Sequence, residues 1–239
     1  MPDVWGRIYR DQWEGDPHPH LVERDDGHEH WIDDAALYFT APRLEAEERA
    51  FRGLVGPALD LGCGPGSYAA YLQNHGLTVT AVDSSPLAVK IAGMQGCLDS
   101  RVMDLRQLDL DDGTFASIVV MGNTFGAYMT PETLPAHMEQ LRKLVPDGGV
   151  LLTTTVDPLD TDEPVHLLYH ERNRDRGRPP GLVRIRLSYR EEQTDWFDLW
   201  LTTREEIEPI AAAAGWELEN EDAEGPWRVR RFRAAPPSV

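Results

Sequence analysis

The sequence predicts an α/β fold built on a mostly parallel sheet with helices on both faces. Two observations point there. Short apolar or β-branched runs alternate with helical stretches from Pro57 to about Pro158, and three successive runs each close on an aspartate: Asp60, Asp83 and Asp104. The candidate strands are residues 58–61 (ALDL), 78–83 (TVTAVD), 97–104 (CLDSRVMD), 116–122 (ASIVVMG) and 149–157 (GVLLTTTVD). Helical stretches at 67–75, 86–94 and 131–144 lie between them. A tight hairpin cannot join strands separated by a helix, so such strands pair in parallel.

The flanks read differently. Residues 1–53 are polar, carry His18, His20, His28 and His30, and end in APRLEAEERAFRGL, a helix pattern with Pro42 near its start. They form an expected N-terminal helical cap segment, leaving 54–239 as the main domain. A polar insert at about 158–181 precedes two extended runs, 182–190 and 193–202, too close in sequence for a crossover and therefore expected as an antiparallel hairpin. A helix over 203–214 closes at Gly215, a strand follows near 227–232, and the AAPPSV tail has the composition of a disordered end.

Composition narrows the class of function. The chain has 239 residues, 41% apolar and 27% charged, and a formal net charge of −18. A field this acidic repels polyanions, so a general nucleic-acid binder is not expected. No apolar run approaches the roughly 18 residues of a membrane span. The first residues lack the basic-then-apolar pattern of a signal peptide, and the two cysteines, Cys63 and Cys97, imply no disulfide framework. The expected address is the cytoplasm, with no membrane partner.

The segment ALDLGCGPGSYAAYL (58–72) holds most of the chemistry. A strand ends at Asp60, Gly62, Gly64 and Gly66 fill a loop, and a helix begins near Ser67. Glycines let the backbone turn sharply and approach a ligand closely. Gly64, Gly66 and Ala69 also satisfy the dinucleotide pattern G-x-G-x-x-G/A, so spacing alone does not choose the ligand. Charge does. A pyrophosphate wants helix amides and no carboxylate beside them. Asp60 would repel it, but would suit the ammonium group of S-adenosylmethionine, whose sulfonium is also positive. Asp83 falls where such folds place an acid on the ribose hydroxyls, and Asp104 is placed for the adenine amino group, with the Leu105 amide nearby.

Taken together, LDLGCGPGSYAAYL, TAVDSSPLAV, VMDLRQL, FASIVVMGNTFG and LVPDGGVLLTTT resemble the class I S-adenosylmethionine-dependent methyltransferases, in the family's order, over about residues 57–157. The resemblance implies a Rossmann-like seven-stranded sheet ending in an antiparallel hairpin, which the chain after about residue 158 would supply. It also implies S-adenosyl-L-methionine as cofactor and S-adenosyl-L-homocysteine as product. Gly62, Cys63, Gly64 and Gly66 would flank the methionyl part, Asp83 and Ser84 the ribose, and Asp104 and Leu105 the adenine. Met121, Gly122 and Asn123 would offer backbone carbonyls to the ammonium. Relatives that methylate base or glutamine amines carry Asn/Asp-Pro-Pro-Tyr after the fourth strand. Here MGNTFGAY stands instead, which favours a bacterial small-molecule type.

Outside that pattern, Tyr38 is an expected aromatic cover for the cofactor. His166 and His170, spaced i and i+4, are the expected general base for a methyl acceptor, with Phe125, Tyr169 and Asn173 as substrate contacts. The spacing of the four N-terminal histidines matches no zinc motif, so no metal is expected. The arginines of 172–190 read as a solvated face. The expected function is methyl transfer to an oxygen or nitrogen of a small molecule, with a homodimer allowed. The alternatives are other chemistry on the same cofactor, such as cyclisation or aminopropyl transfer, and a cofactor binder without turnover.

Overall fold

The computed structural model describes residues 3–236; residues 237–239, the end of the expected disordered tail, lie outside this range. The chain opens with α1 (Val4–Glu14), β1 (His20–Arg24), β2 (Glu29–Ile32), a 3-10 turn (Ala35–Phe39) and α2 (Glu45–Phe51). The central alternation follows: β3 (Ala58–Leu61), α3 (Ser67–Asn74), β4 (Val79–Asp83), α4 (Pro86–Met94), β5 (Asp99–Val102), β6 (Ser117–Val120), α5 (Thr124–Tyr128), α6 (Leu134–Lys143) and β7 (Val150–Val156). The last third comprises α7 (Pro164–Asp175), β8 (Leu182–Tyr189), β9 (Glu192–Gln193), β10 (Phe197–Trp200), α8 (Arg204–Ala213), β11 (Trp216–Glu224) and β12 (Trp227–Ala234).

Seven strands form the main sheet in the order β11-β12-β7-β6-β3-β4-β5. The five strands from β7 to β5 run parallel, and the terminal pair is antiparallel. All residues of β3 and β6 are buried, as central strands covered on both faces must be. Side chains alternate between two cores. Leu59, Leu61, Ile118 and Val120 pack with α6 and α8, whereas Ala58, Val119 and Met121 pack with residues of α2 and α3. Strand order diverges between β3 and β6, which opens a crevice at their carboxyl ends.

The terminal hairpin of this sheet is β11–β12, not the 182–202 pair that the sequence offers for it. That pair does form, β8 against β10, but in a second sheet ordered β10-β8-β1-β2, with β9 also paired to β8. The sequence hides β11 because ELENEDAE carries almost no apolar residues. An edge strand tolerates this, and its acids pair with β12, Glu221 with Arg230 and Glu219 with Arg231. The first 53 residues are also more than helix. Strand β1 pairs with β8 from His20↔Tyr189 to Arg24↔Ile185, and α1 packs Val4 and Ile8 with Leu187 and Tyr189. Among the described residues no helix is long and apolar enough to cross a membrane.

Candidate functional site

The glycine turn joins β3 to α3 at the mouth of the crevice. The amides of Gly62 and Cys63 both donate to Val82 O, at 2.8 and 3.0 Å, folding the turn onto β4. Two positions require glycine. A β-carbon at Gly62 would lie 2.1 Å from Thr124 Cγ2, and one at Gly66, whose φ is 93°, would lie 2.7 Å from Cys97 Sγ. The loop is therefore wedged between α5 and the α4–β5 connection.

Asp60 is the chemical centre of this turn. It is 1% exposed, and its Oδ2 has no hydrogen-bond partner among the described residues. Burial pushes its carboxyl up to about 7, helped by the charge of Asp83 and opposed by the Ala69 amide. Such a group calls for a cation or a donor. Asp83, at the end of β4, accepts from Gly64 N through Oδ2 at 2.9 Å and from Ser85 N through Oδ1 at 2.8 Å; burial raises its carboxyl too. Ser84 beside it is exposed.

Other residues expected at the cofactor divide. Leu105 is buried, with Cδ1 3.5 Å from the β-carbon position of Gly62. Asp104 is exposed and bound to Arg106 (Nε to Oδ1, 3.0 Å), which holds its carboxyl below the usual range. Met121 is buried and accepts a hydrogen bond from Thr154 Oγ1 through its sulfur. Asn123 adopts a left-handed φ of 63°, and its Oδ1 accepts from Val156 N, locking β6 to β7. Cys63 is buried, and burial pushes its thiol well up, which makes it inert.

The N-terminal segment covers the turn. Tyr38 O accepts from Ser67 Oγ at 2.8 Å, and its hydroxyl lies 3.0 Å from His20 Nε2. The Tyr38 ring packs edge-on against Trp5 and Tyr9 at 5.7 and 5.3 Å between centroids. The Tyr9 ring approaches to 3.5 Å from the β-carbon position of Gly64. Arg43 enters from the chain before α2. Its Nε donates to Tyr68 Oη at 2.9 Å, its guanidinium lies over the Trp227 ring at 5.5 Å, and Nη2 is 2.6 Å from the β-carbon position of Gly122. Fully buried Glu47 anchors this arm, accepting from Arg43 N and Tyr68 Oη. Tyr9, Arg43, Glu47 and Tyr68 were not legible as site residues. Nothing local distinguishes Arg43 from the other arginines of an Arg-rich chain.

The α7 residues assemble elsewhere, against β1 and β8. His166 Nδ1 is 2.9 Å from Arg24 Nη1, and its ring meets His28 edge-on. Tyr169 Oη donates to Asp25 Oδ1 and accepts from Arg184 N. Asn173 Nδ2 donates to Pro180 O and Leu182 O. His170 is buried with Nδ1 unpaired, and burial lowers its basicity. Phe125 is buried in the core beneath α5. None of the recorded contacts of His166, His170, Tyr169 or Asn173 reaches the glycine turn.

Comparison with known proteins bears on this geometry. The methyltransferase-domain family matches residues 58–149, the stretch containing the glycine turn, Asp60 and Asp83. The structure of an S-adenosylmethionine-dependent methyltransferase from Bacteroides fragilis, in complex with S-adenosyl-L-homocysteine, superposes with a TM-score of 0.82 at 23% identity, over 99% of this chain and 98% of that one. The chain has the fold of the S-adenosylmethionine-dependent methyltransferases. The CcbJ methyltransferase from Streptomyces caelestis is similar at TM-score 0.60 and 19% identity, covering 78% of this chain and 92% of that one. A malonyl-[acyl-carrier protein] O-methyltransferase from Enterobacter lignolyticus is 32% identical over 99 residues, 41% of this chain. The match spans only 38% of that relative's length. The crevice lies at the carboxyl ends of β3 and β6, where Asp60 is in register with Val119 and Gly122 follows the end of β6.

Proposed function

We propose that this chain binds S-adenosyl-L-methionine in the crevice and transfers its methyl group to an oxygen or nitrogen of a small molecule. The observation that carries the reading is the pairing of unlike charges at adjacent strand ends. The unpaired Asp60 carboxylate lies at the end of β3, and the Arg43 guanidinium lies against Gly122 after β6. An amino-acid head group presents an ammonium and a carboxylate, the complement of that pair. A dinucleotide presents neither. Asp83, Ser84 and Leu105 would hold the adenosine half, with Gly62, Cys63, Gly64 and Gly66 against the methionyl chain. Met121, Gly122 and Asn123 would face the ammonium. Asp104, now turned to Arg106, would need to release it to reach adenine.

The bound cofactor supplies an electrophilic methyl on a sulfonium. The chain's share is alignment and exclusion of water. Trp5, Tyr9 and Tyr38 supply an apolar cover, and the cap sheet gives the acceptor a wall. For a proton acceptor, His170 is the better of the two histidines on α7, because its Nδ1 is unpaired whereas that of His166 is engaged by Arg24. Phe125, Tyr169 and Asn173 remain proposed acceptor contacts. A small molecule is the proposed partner, in keeping with the acidic charge.

Titration calorimetry tests the cofactor assignment. S-adenosyl-L-homocysteine should bind and NAD should not, and Asp60→Asn and Arg43→Met should each weaken binding by about tenfold or more. Binding of NAD alone would overturn the proposal. Incubation with labelled cofactor and a metabolite extract, followed by release of S-adenosyl-L-homocysteine, separates methyl transfer from other chemistry and from binding without turnover. With the acceptor in hand, His170→Ala should lower turnover about 10²–10⁴-fold if it is the base. An unchanged rate removes it.

A further inference from the structure

A second orphaned polar group lies near the crevice, on α5. The Tyr128 hydroxyl is buried and has no hydrogen-bond partner among the described residues. Its ring packs on the core cluster that includes Val82, Leu105 and Phe125. Val82 immediately precedes Asp83, and Leu105 touches the Gly62 turn. Thr124, four residues earlier on the same helix, is the residue wedged against Gly62. Helix α5 therefore begins at the glycine turn, through Thr124, and carries Tyr128 one turn further along into the same core.

A buried hydroxyl without a partner is uncommon, because it forfeits its bonds to water with nothing in return. Either another side chain turns to meet it or a ligand does. A polar neighbour is His137, whose ring lies edge-on with centroids 5.7 Å apart at 89° and whose two nitrogens are also unpaired among the described residues. The hydroxyl makes no hydrogen bond to either ring nitrogen. Burial, and secondarily the charge of Asp83, push the Tyr128 hydroxyl up, so it stays a neutral donor.

We propose that Tyr128 is a binding residue for the adenosine half of the cofactor, its hydroxyl donating to an adenine nitrogen or ribose oxygen held between Asp83 and Leu105. This rests on the cofactor reading above and adds a contact to it. Asp60 and Arg43 address the amino-acid end, and Tyr128 addresses the other. Its removal should therefore weaken any ligand with that half, whether or not an amino acid is attached.

Calorimetry with two probes tests this: S-adenosyl-L-homocysteine, and 5′-methylthioadenosine, which keeps the adenosine half and lacks the amino acid. Tyr128→Phe should weaken both by the same factor, about three- to tenfold. Arg43→Met should weaken only the first. The melting temperature of ligand-free Tyr128→Phe should stay level or rise, since an unpaired buried hydroxyl is removed. Unchanged affinity for both probes overturns the role of Tyr128 while leaving the cofactor site standing. A fall in ligand-free melting temperature also overturns it, because the hydroxyl then pairs with His137 within the fold. If wild-type protein binds neither probe, the cofactor reading falls and this inference with it.

Discussion

Asp60 shows how a single buried carboxylate couples ligand and pH. Its folded-state value of about 7 lies above its ordinary one, chiefly because burial disfavours the charge. Below about pH 4 the group is protonated folded or unfolded, and no penalty arises. As pH rises from there to about 7, the unfolded chain gives up the proton while the native one keeps it, so ligand-free stability falls across that window. A bound ammonium reverses the preference. Affinity for S-adenosyl-L-homocysteine should therefore rise with pH up to about 7 and then level, with proton release on binding below it. Calorimetry in buffers of different ionisation enthalpy measures that release. Asp60→Asn should abolish it, and a release that persists in the variant would place the proton elsewhere. The other carboxylates differ in kind. Asp83 already spends both oxygens on backbone amides, and Asp104 spends its own on Arg106.

Helix α1 illustrates a local signal serving a distant purpose. Asp3 caps it, accepting from Gly6 N through Oδ1 at 2.9 Å, while Oδ2 accepts from Ser85 Oγ at 2.7 Å. Ser85 in turn caps α4 by accepting from Ala88 N. Two helix N-termini thus share one carboxylate, and a β-carbon at Gly6 would overlap this junction at 2.4 Å from Ser85 Oγ. Loss of an N-cap costs about 0.5–2 kcal/mol. Asp3→Ala should lower stability by that amount and speed amide exchange over residues 4–14 more than in the main sheet. Uniform acceleration throughout would mean that α1 does not open separately. Because Tyr9 leans on Gly64, the variant should also weaken S-adenosyl-L-homocysteine binding. The Glu47 anchor belongs to the same scale. Glu47→Ala would leave the Tyr68 hydroxyl and the Arg43 amide without their carboxylate, at about 1–3 kcal/mol, read as a melting temperature lower by roughly 2–12 °C.

At the scale of the molecule, the first 24 residues are tied to the last third of the chain by strand pairing and packing. Residues 20–24 pair with 185–189, and Tyr189 Oη donates to Asp11 Oδ2 at 2.9 Å inside the α1 contact. Removing residues 1–33 would strip β8 of a partner strand and expose Leu187 and Tyr189. An unpaired strand beside an exposed apolar face is an aggregation surface. The truncated chain should be insoluble, or soluble without S-adenosyl-L-homocysteine binding. A monomeric truncation that binds the ligand at wild-type affinity would show that the cap is dispensable for the cofactor.

Period and punctuation in the sequence determined the parallel core. Buried strands such as ALDL and SIVV, glycines at 62, 64 and 66, and acids at strand ends are local features that can be read without knowing which distant segments pack on them. Strand β11 escaped because an edge strand needs no apolar run, and the 182–202 pair was legible as a hairpin but not as belonging to a second sheet. Only the tertiary structure decided which distant segments meet: β1 on β8, Arg43 against Gly122, Tyr9 over Gly64, and Tyr128 beside His137. It also decided which internal hydrogen bonds the expected residues make, as with Tyr169 to Asp25 and Asn173 to Leu182. The physical reason is that burial and pairing are properties of neighbours in space. A tyrosine or arginine carries the same chemistry at any position, and its solvent, its partners and its unpaired atoms are fixed only when the chain closes around it.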